Sequence, residues 1–572
     1  MKRFRFLAVV AVTAFCLTVP FAIRGYHGDD SQFHFSSWIG LRQAWLAGDF
    51  APGWDALANY TLGDPRFCFY PPLSLWLGAS LSTILPFNLA PAAFVWLALV
   101  MSGLSMHVAS KSIVGSRYRS LAALLYMASP YVLMAAITRF AAAELLVLAW
   151  MPLIVLHFLR ATASYNRRST LLLACLLALS WLTNIPASIV LTYVLLFVAV
   201  IAAVQQRSSK ALLPFLIAES IALLAAAFSL APAFFESQWI TTSALLHQNF
   251  REYFVFGSIS SFQRMHFELG LWVISFAEVA VIVTSIVSRE RLAYHQYRLL
   301  YELAAIAFLF ELPLATVCWL YLPELRFVQF PFRFLSVLGA VLPLIVIGNG
   351  IDRKVMNTSC GLMALLALLP LIFYLRINPD TPSDLPDLSS EIRLGYSGTA
   401  EYTPVGAVTR NTPIALTPVS VASDFANSRC TLSDLSNGPR LKLISVEAES
   451  LCHVRFATYF YPYWEAKDEG GKSFQTSRDD AGLLVVAVPR GQHTIQVRFH
   501  AHSPARIISM AISAVAALFL VIGLLKYSWK STSEPHVGNA LSALARREEK
   551  AAVPTLYAVA IELPTPRPEA QI

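Results

Sequence analysis

Charge is what this chain has least of. Asp, Glu, Lys and Arg make up only 14% of its 572 residues, 56% are hydrophobic, and the mean hydropathy is +0.57. Soluble domains carry about a quarter charged residues, so this composition excludes a soluble globular protein and reads as a polytopic membrane protein. Cysteine is equally sparse, and Cys16, Cys68, Cys175, Cys318 and Cys360 fall mostly inside apolar runs without metal-ligand spacing. No internal repeat is visible, and no small-x-small cleavage pattern precedes Arg24. The opening run to Ile23 could be a signal peptide, but an uncleaved first span is the expected reading. The formal net charge of +8 does not point to nucleic acid, because the basic residues lie in short loops between apolar runs, where they report orientation.

What is present is a set of thirteen apolar runs, at about 5–24, 71–87, 90–110, 119–137, 142–159, 170–184, 187–204, 211–231, 269–287, 299–321, 334–350, 357–375 and 507–526. Basic clusters occur at Lys2/Arg3/Arg5, Lys111/Arg117/Arg119, Arg160/Arg167/Arg168, Arg207/Lys210, Arg289/Arg291/Arg298, Arg353/Lys354 and Lys526/Lys530. Thirteen crossings would put Lys111 to Arg119 outside, against the positive-inside rule. The run 71–87 is short, opens with Pro71-Pro72 and closes at Pro86, so it is read as a half-inserted surface helix. About twelve transmembrane helices remain, with both termini cytoplasmic. The outer segments are then 25–70, the Arg139/Glu144 turn, 232–268, the loop 322–333 and everything from 377 to 506.

The segment 377–506 changes character. Pro, Asp, Ser and Thr runs give way to alternating stretches at Leu441–Val446, Leu483–Val488 and Thr494–Phe499, the period of β-strands in a small sandwich-like domain. Cys430 and Cys452 both fall in it, as a disulfide permitted by an exported compartment or as two free thiols. The chain divides into a transmembrane core 1–376, this β-rich domain, a final span 507–527 and a polar tail 528–572 expected to be disordered in the cytoplasm.

Chemistry is sought among outer-face ionisable groups. Asp29 and Asp30 lie between His27 and His34 just after the first span. If a helix starts there, Asp30, His34 and Trp38 share one face. One partly desolvated carboxylate then suits a general base; the alternatives are that both Asps merely cap a solvated helix, or that Asp30 and His34 ligate a divalent metal such as Mg or Mn. In Glu324-Leu-Arg326-Phe-Val-Gln329-Phe-Pro-Phe-Arg333-Phe, Arg326 and Arg333 lie on the outer side against the charge bias. A guanidinium fork suits phosphate, whereas interfacial snorkelling or an ion pair with Glu324 is the blander account. Arg139 and Glu144 flank a tight outer turn and either pair with each other or bind substrate. The loop Trp54-Asp55 to Gly63-Asp64-Pro65-Arg66-Phe67-Cys68-Phe69-Tyr70 is rich in aromatics, Pro and Gly, which implies an ordered re-entry at the membrane surface.

These pieces resemble the GT-C glycosyltransferase superfamily, and more closely the bacterial membrane proteins called "6-pyruvoyl-tetrahydropterin synthase-related" and the YfhO-like proteins. The resemblance rests on Gly28-Asp29-Asp30 after one span, Phe69-Tyr70-Pro71-Pro72-Leu73, Arg326–Phe334, Glu401-Tyr402-Thr403-Pro404 and Tyr461-Pro462-Tyr463-Trp464 before a β-rich region. It covers the chain to about residue 527; the pterin in the family label corresponds to no pterin chemistry in these residues.

The resemblance implies a GT-C-like fold and sugar transfer from a polyprenyl-phosphate-linked donor to an envelope glycan, lipid or protein acceptor, at the outer face of a bacterial cytoplasmic membrane. Asp29 or Asp30 would deprotonate the acceptor or bind metal. His34, Arg139, Glu144, Glu324, Arg326, Gln329 and Arg333 would line the substrate site, with Arg326 and Arg333 on the lipid phosphate. The chain departs from the better-described enzymes in lacking a Lys next to Pro71-Pro72 and a sequon-reading motif. No phosphate-cradling loop occurs in a cytoplasmic segment, which argues against a nucleotide-sugar donor. The rival readings are a non-catalytic assembly scaffold using its β-domain and a lipid-linked-glycan transporter, for which Glu219, Glu302 and Glu311 are the intramembrane charges to watch.

Overall fold

A computed structural model describes residues 2–115, 118–246, 249–255, 262–287, 291–348, 353–376, 382–422, 430–438, 441–501 and 503–528. The expected disordered tail lies, beyond Ser528, outside the described residues. In a bilayer every backbone polar group must find an internal partner, so long apolar runs become helices. Each of the twelve expected crossings is helical here. Among the described residues, seven helices are long and apolar enough to span: Phe4–Ile23, Phe87–Ile113, Ala142–Ala163, Ile185–Gln205, Ser209–Trp239, Arg353–Leu375 and Pro504–Tyr527. Two more spans are broken. Arg119–Met127 bends by 43° into Pro130–Thr138, and Tyr297–Phe310 bends by 80° into Pro313–Tyr321. In both, a proline follows the break, where it cannot donate to the preceding turn. Gly270–Thr284 and Pro331–Ile347 are shorter apolar helices, and the run 170–184 is the 15-residue helix Arg167–Trp181.

The helix Ala142–Ser164 is the buried centre, packed against Ala90–Ile113 and Arg167–Trp181. The last helix, Pro504–Ser528, returns to lie along Leu213–Phe235. There the Ser513 hydroxyl enters the ladder of its neighbour: Phe228 N donates to Ser513 Oγ at 2.9 Å, and Ser513 Oγ donates to Leu224 O at 3.1 Å. The hydroxyl thus takes the place between an N–H and the carbonyl four residues before it. The proline-led run 71–87 forms the 13-residue helix Pro72–Ile84, with Pro72 in its first turn, where no N–H is needed.

The β-rich segment is one antiparallel sheet of eight strands: β1 Val419–Val421, β2 Cys430–Asn437, β3 Leu441–Ala448, β4 Cys452–Tyr459, β5 Trp464–Asp468, β6 Ser473–Arg478, β7 Leu483–Val488 and β8 Gly491–Phe499. Their order is β1-β4-β7-β6-β5-β8-β3-β2, and the two end strands β1 and β2 come close to one another, so the sheet curls into a barrel-like shape around a single apolar core. The three alternating stretches read from sequence are β3, β7 and most of β8. Cys430 and Cys452 are joined as a disulfide.

The first loop is tied to this domain. Trp54 packs with its ring centroid 5.5 Å from that of Trp464 and 5.2 Å from that of Phe499. Tyr459 N donates to Leu62 O at 2.8 Å. The aromatic run Tyr461–Trp464 therefore fastens the loop and the β-domain together around a shared apolar core that includes Trp54, Leu62, Cys68 and Phe69.

Candidate active site

Asp29 and Asp30 end the turn that follows the first span, and the helix Ser31–Leu46 begins immediately after them. Asp30 holds the N-cap position, yet its carboxylate makes no capping hydrogen bond. It turns instead toward Arg139, with Oδ2 3.5 Å from Nη2, while its own N–H donates to the Arg139 carbonyl at 2.9 Å. A carboxylate from far along the chain serves the turn: Asp384 Oδ2 accepts from Gly28 N at 3.0 Å and from Ser31 Oγ at 2.6 Å, with His27 Nδ1 3.3 Å from its other oxygen.

Arg139 starts a buried chain of alternating charge. Its Nη1 donates to Glu144 Oε2 at 2.9 Å, Arg333 Nε lies 3.6 Å from the same oxygen, and the Tyr131 hydroxyl donates to Glu144 Oε1. Local structure explains each placement. Arg139 follows a π-helical turn, Met134–Thr138, the kind of bulge that re-aims side chains. The next residue, Phe140, takes a left-handed φ of 46°, an uncommon geometry for a non-glycine that reverses the chain into the next helix. Glu144 falls in the first turn of Ala142–Ser164, where the helix dipole favours an anion. Arg333 sits in the short turn Pro331–Phe334 and donates through Nη1 to Val328 O at 2.7 Å.

Aromatic faces complete the enclosure. Phe332 lies 5.4 Å from the Arg139 guanidinium carbon and Phe330 lies 5.2 Å from that of Arg333. Burial alone would lower the Arg139 guanidinium, and the carboxylates of Glu144 and Asp30 more than reverse this, so it is held above its ordinary value. Asp29, whose side chain opens to solvent, is raised above the usual carboxylate range by desolvation at its base; Asp30 and Asp384 add to this and Arg139 opposes it.

The structure thus brings Asp30, Arg139, Glu144 and Arg333 into one connected set, with Asp29 at its rim. His34 is placed behind it. Its ring is fully buried among Phe33, Trp38, Tyr70 and Phe140, its Nδ1 has no hydrogen-bond partner, and desolvation lowers its pKa to about 4. Trp38, on the same face, lies against Gly78 and stacks on Phe94 at 5.3 Å, so this stripe is packed core. Glu324 and Arg326 are exposed and stand apart from the set, while Gln329 donates to Leu245 O at 3.2 Å. Among the described residues, no group of three or more His, Cys, Asp or Glu side chains is arranged to hold a metal ion. Asp30 and His34 offer two donors, one of them sealed in aromatic packing.

Sequence reasoning missed Tyr131 and Asp384, and it named Tyr70 and Tyr402 only as members of longer motifs without a place in the site. Tyr70 packs on Phe33 at 4.9 Å, and Tyr402, from the Glu401–Pro404 stretch, stacks on Phe33 at 5.9 Å and meets Tyr70 edge-on at 6.4 Å. It also missed a second buried cluster. Arg66 Nη2 lies 2.8 Å from Asp64 and its Nε 3.4 Å from Asp55, whose Oδ2 accepts from the Tyr396 hydroxyl at 2.6 Å. The signal was present in Gly63-Asp64-Pro65-Arg66, an acid two residues before a base at a turn; its distant partner Tyr396 had none.

Tyr70 also borders a cavity of about 1420 Å³, larger than the roughly 300–1,000 Å³ of ordinary small-molecule pockets. Its floor is made by the helix Pro72–Ile84 through Leu75 and Trp76 and by membrane-spanning helices through Phe228 and Met510, and its roof by the β-domain through Arg498 and Phe499.

The model of a membrane-protein family, the 6-pyruvoyl-tetrahydropterin synthase related domain, matches residues 67–379, more than half of the sequence. The chain belongs to this family. In this 6-pyruvoyl-tetrahydropterin synthase related protein the matched region contains Arg139, Glu144 and Arg333, whereas Asp29 and Asp30 precede it. No curated protein matches the chain. Among solved structures it is similar to the arabinofuranosyltransferase AftD from Mycobacteria, at 15% identity and a TM-score of 0.40, over 67% of this chain and 27% of that one. It is also similar to an Archaeoglobus fulgidus oligosaccharyltransferase in complex with Zn and sulfate, at 15% identity and a TM-score of 0.33, over 65% and 52% of the two chains. The chain spans only about a quarter of the first and half of the second.

Proposed function

We propose that this membrane protein transfers a sugar from a polyprenyl-phosphate-linked donor to a cell-envelope acceptor at the outer face of a bacterial cytoplasmic membrane. The observation that carries the reading is the set itself: a solvent-open acidic pair braced against a buried Arg139–Glu144–Arg333 chain, one aromatic ring, Tyr70, away from a large cavity floored by membrane helices. An amphiphilic donor needs apolar walls for its tail and cations for its phosphate, and the acceptor hydroxyl needs a base reachable from water.

In this reading the Asp29 carboxylate takes the proton of the acceptor hydroxyl, whose oxygen bonds to the anomeric carbon as the bond from that carbon to the phosphate oxygen breaks. The polyprenyl phosphate leaves with the electron pair. Asp30 orients Arg139, and Arg139 with Arg333 supplies positive charge for the leaving phosphate. Arg326, Glu324 and Gln329 would contact the substrate only at the loop's rim. A metal ion is not needed for any of these steps, and none is routed through one.

The test is incubation of the purified protein with labelled polyprenyl-phosphate sugars and an envelope extract. Transfer by the wild type supports the reading; a folded protein that transfers from no donor overturns it. A second reading, a non-catalytic glycan-binding scaffold, is favoured by a polar concavity of about 430 Å³ on the β-domain, lined by Thr431, Ser445, Glu447, Asp468, Gln492 and Thr494. A scaffold would keep its role when Asp29 and Asp30 are replaced by Asn.

A further inference from the structure

Among the described residues, two carboxyl groups are buried in the apolar part of the chain without a counter-charge. Glu311 stands in the break between Tyr297–Phe310 and Pro313–Tyr321, where the chain turns by 80°. Glu278 lies in the helix Phe262–Val287, one turn beyond Ser275. Both are about 99% buried. Ser275 Oγ donates to Glu311 Oε2 at 2.9 Å, but Glu311 Oε1 and both oxygens of Glu278 have no partner, and the charge that bears on Glu311 is that of Glu278.

Among the described residues, the surrounding elements do not neutralise them. The helix Leu335–Ile347 carries no ionisable residue. On Arg353–Leu366 the charged residues Arg353 and Lys354 are in the first turn, and its thiol is Cys360. On Arg291–Phe310, Arg298 pairs with Glu302 at 3.1 Å, and Tyr297 and Tyr301 are its buried phenols. On Phe250–Tyr253, Arg251 is exposed, Glu252 is half-buried, and Tyr253 borders the carboxyl from the side. Beside Glu311 is a void of about 10 Å³, lined by Tyr253, Trp272, Ser275 and Phe332, room for about one water molecule. Phe332 is also the ring that lies 5.4 Å from the Arg139 guanidinium carbon.

An isolated carboxylate in apolar surroundings is prohibitively costly, so such a group keeps its proton or finds a cation, and ionisable residues within spans mark pathways for protons or ions. Two neighbouring carboxyls resist losing both protons together. We propose that Glu278 and Glu311 form an intramembrane proton-binding site, with the water-sized void beside Glu311 as its link to solvent on the β-domain side. The site is independent of the glycosyltransferase reading.

The test uses the full-length protein in membranes and dicyclohexylcarbodiimide, which reacts with protonated carboxyls in apolar surroundings. The acid proton passes to a carbodiimide nitrogen while the carboxyl oxygen bonds to its central carbon, and the adduct is mapped by peptide mass spectrometry. Labelling at Glu278 or Glu311 is expected at pH 6 and should fall at least about threefold as pH is raised stepwise from there and the pair ionises. Glu278→Gln should move the fall of Glu311 labelling to lower pH, because the like charge opposing its ionisation is gone. Absence of labelling at pH 6 overturns the proposal, as does equal labelling across the range. Labelling at pH 6 that disappears when sodium replaces choline in the buffer also overturns it, since the pair would then hold a cation.

Discussion

Arg139 and Asp30 hold each other twice, through a backbone hydrogen bond of 2.9 Å from Asp30 N to Arg139 O and a side-chain approach of 3.5 Å. The first contact fixes the turn before the helix Ser31–Leu46 against the turn before Ala142–Ser164. The second leaves the other face of the guanidinium for Glu144. One arginine therefore joins the exposed acidic pair to the buried chain.

Replacing Arg139 by Gln leaves Glu144 buried with only Arg333 at 3.6 Å and the Tyr131 hydroxyl as partners. Removing one partner of a buried ion pair costs about 3–5 kcal/mol. Thermal unfolding in detergent should show a large drop for Arg139→Gln and a smaller one for Arg333→Gln. The triple change Arg139→Met, Glu144→Met and Arg333→Met should recover much of the loss, because no buried charge of the chain is then left unpaired. An Arg139→Gln protein as stable as wild type would contradict this account of the chain.

Asp55 gives a pH dependence with a definite sign. Burial pushes its carboxyl up to about 6; Arg66 opposes and Asp64 adds to the rise. Above its unfolded value of 3.8 the folded protein retains a proton that the unfolded chain releases. The stability contributed by this group is therefore full below about pH 4, falls as pH rises toward about 6 and is constant beyond. In Asp55→Asn, which keeps an acceptor for Tyr396, the slope of stability against pH over that window should become more positive than in wild type. Identical slopes in a pH series of melting temperatures would contradict the assignment.

Gly78 is where the helix Pro72–Ile84 meets Trp38. A Cβ there would stand 1.9 Å from Trp38 Cε2, so Gly78→Ala forces the indole or the helix to move. Over-packing of this kind costs about 1–3 kcal/mol. A lowered melting temperature is expected together with altered Trp fluorescence, because Trp38 stacks on Phe94 and is fully buried.

Spans were legible because roughly 20 apolar residues suffice to cross a bilayer and admit few other readings. The breaks were less so: Pro130 and Pro313 were in plain view inside single apolar runs, yet whether a proline kinks, breaks or merely starts a helix depends on what packs around it. Arg139 and Glu144 were legible as a pair from their five-residue spacing across a turn, and Arg333 from a positive charge on the unexpected side. Asp384 carried no local signal, because it reaches the first loop from some 350 residues away; Tyr402 stood in the recognisable stretch Glu401-Tyr402-Thr403-Pro404, but nothing in that stretch pointed to Phe33. The helix start at Ser31 was foreseen, but not that Asp30 would abandon capping for Arg139, a choice that tertiary charge makes. Asp64 and Arg66 were read as part of an interfacial aromatic loop, when their burial turns them into an internal ion pair.

Asp29 offers the most direct test of the glycosyl-transfer account. General-base catalysis contributes about 10²–10⁴-fold, and the Asp29 carboxyl is exposed enough that Asn should fold in its place. The decisive measurement is the rate of label transfer from a polyprenyl-phosphate sugar to envelope acceptor by wild type, Asp29→Asn and Asp30→Asn at matched melting temperature. The account predicts that wild type transfers and that kcat for Asp29→Asn falls by about 10²-fold or more, with the wild-type rate declining as pH drops through the raised range of the Asp29 carboxyl. Transfer by Asp29→Asn at the wild-type rate would contradict it.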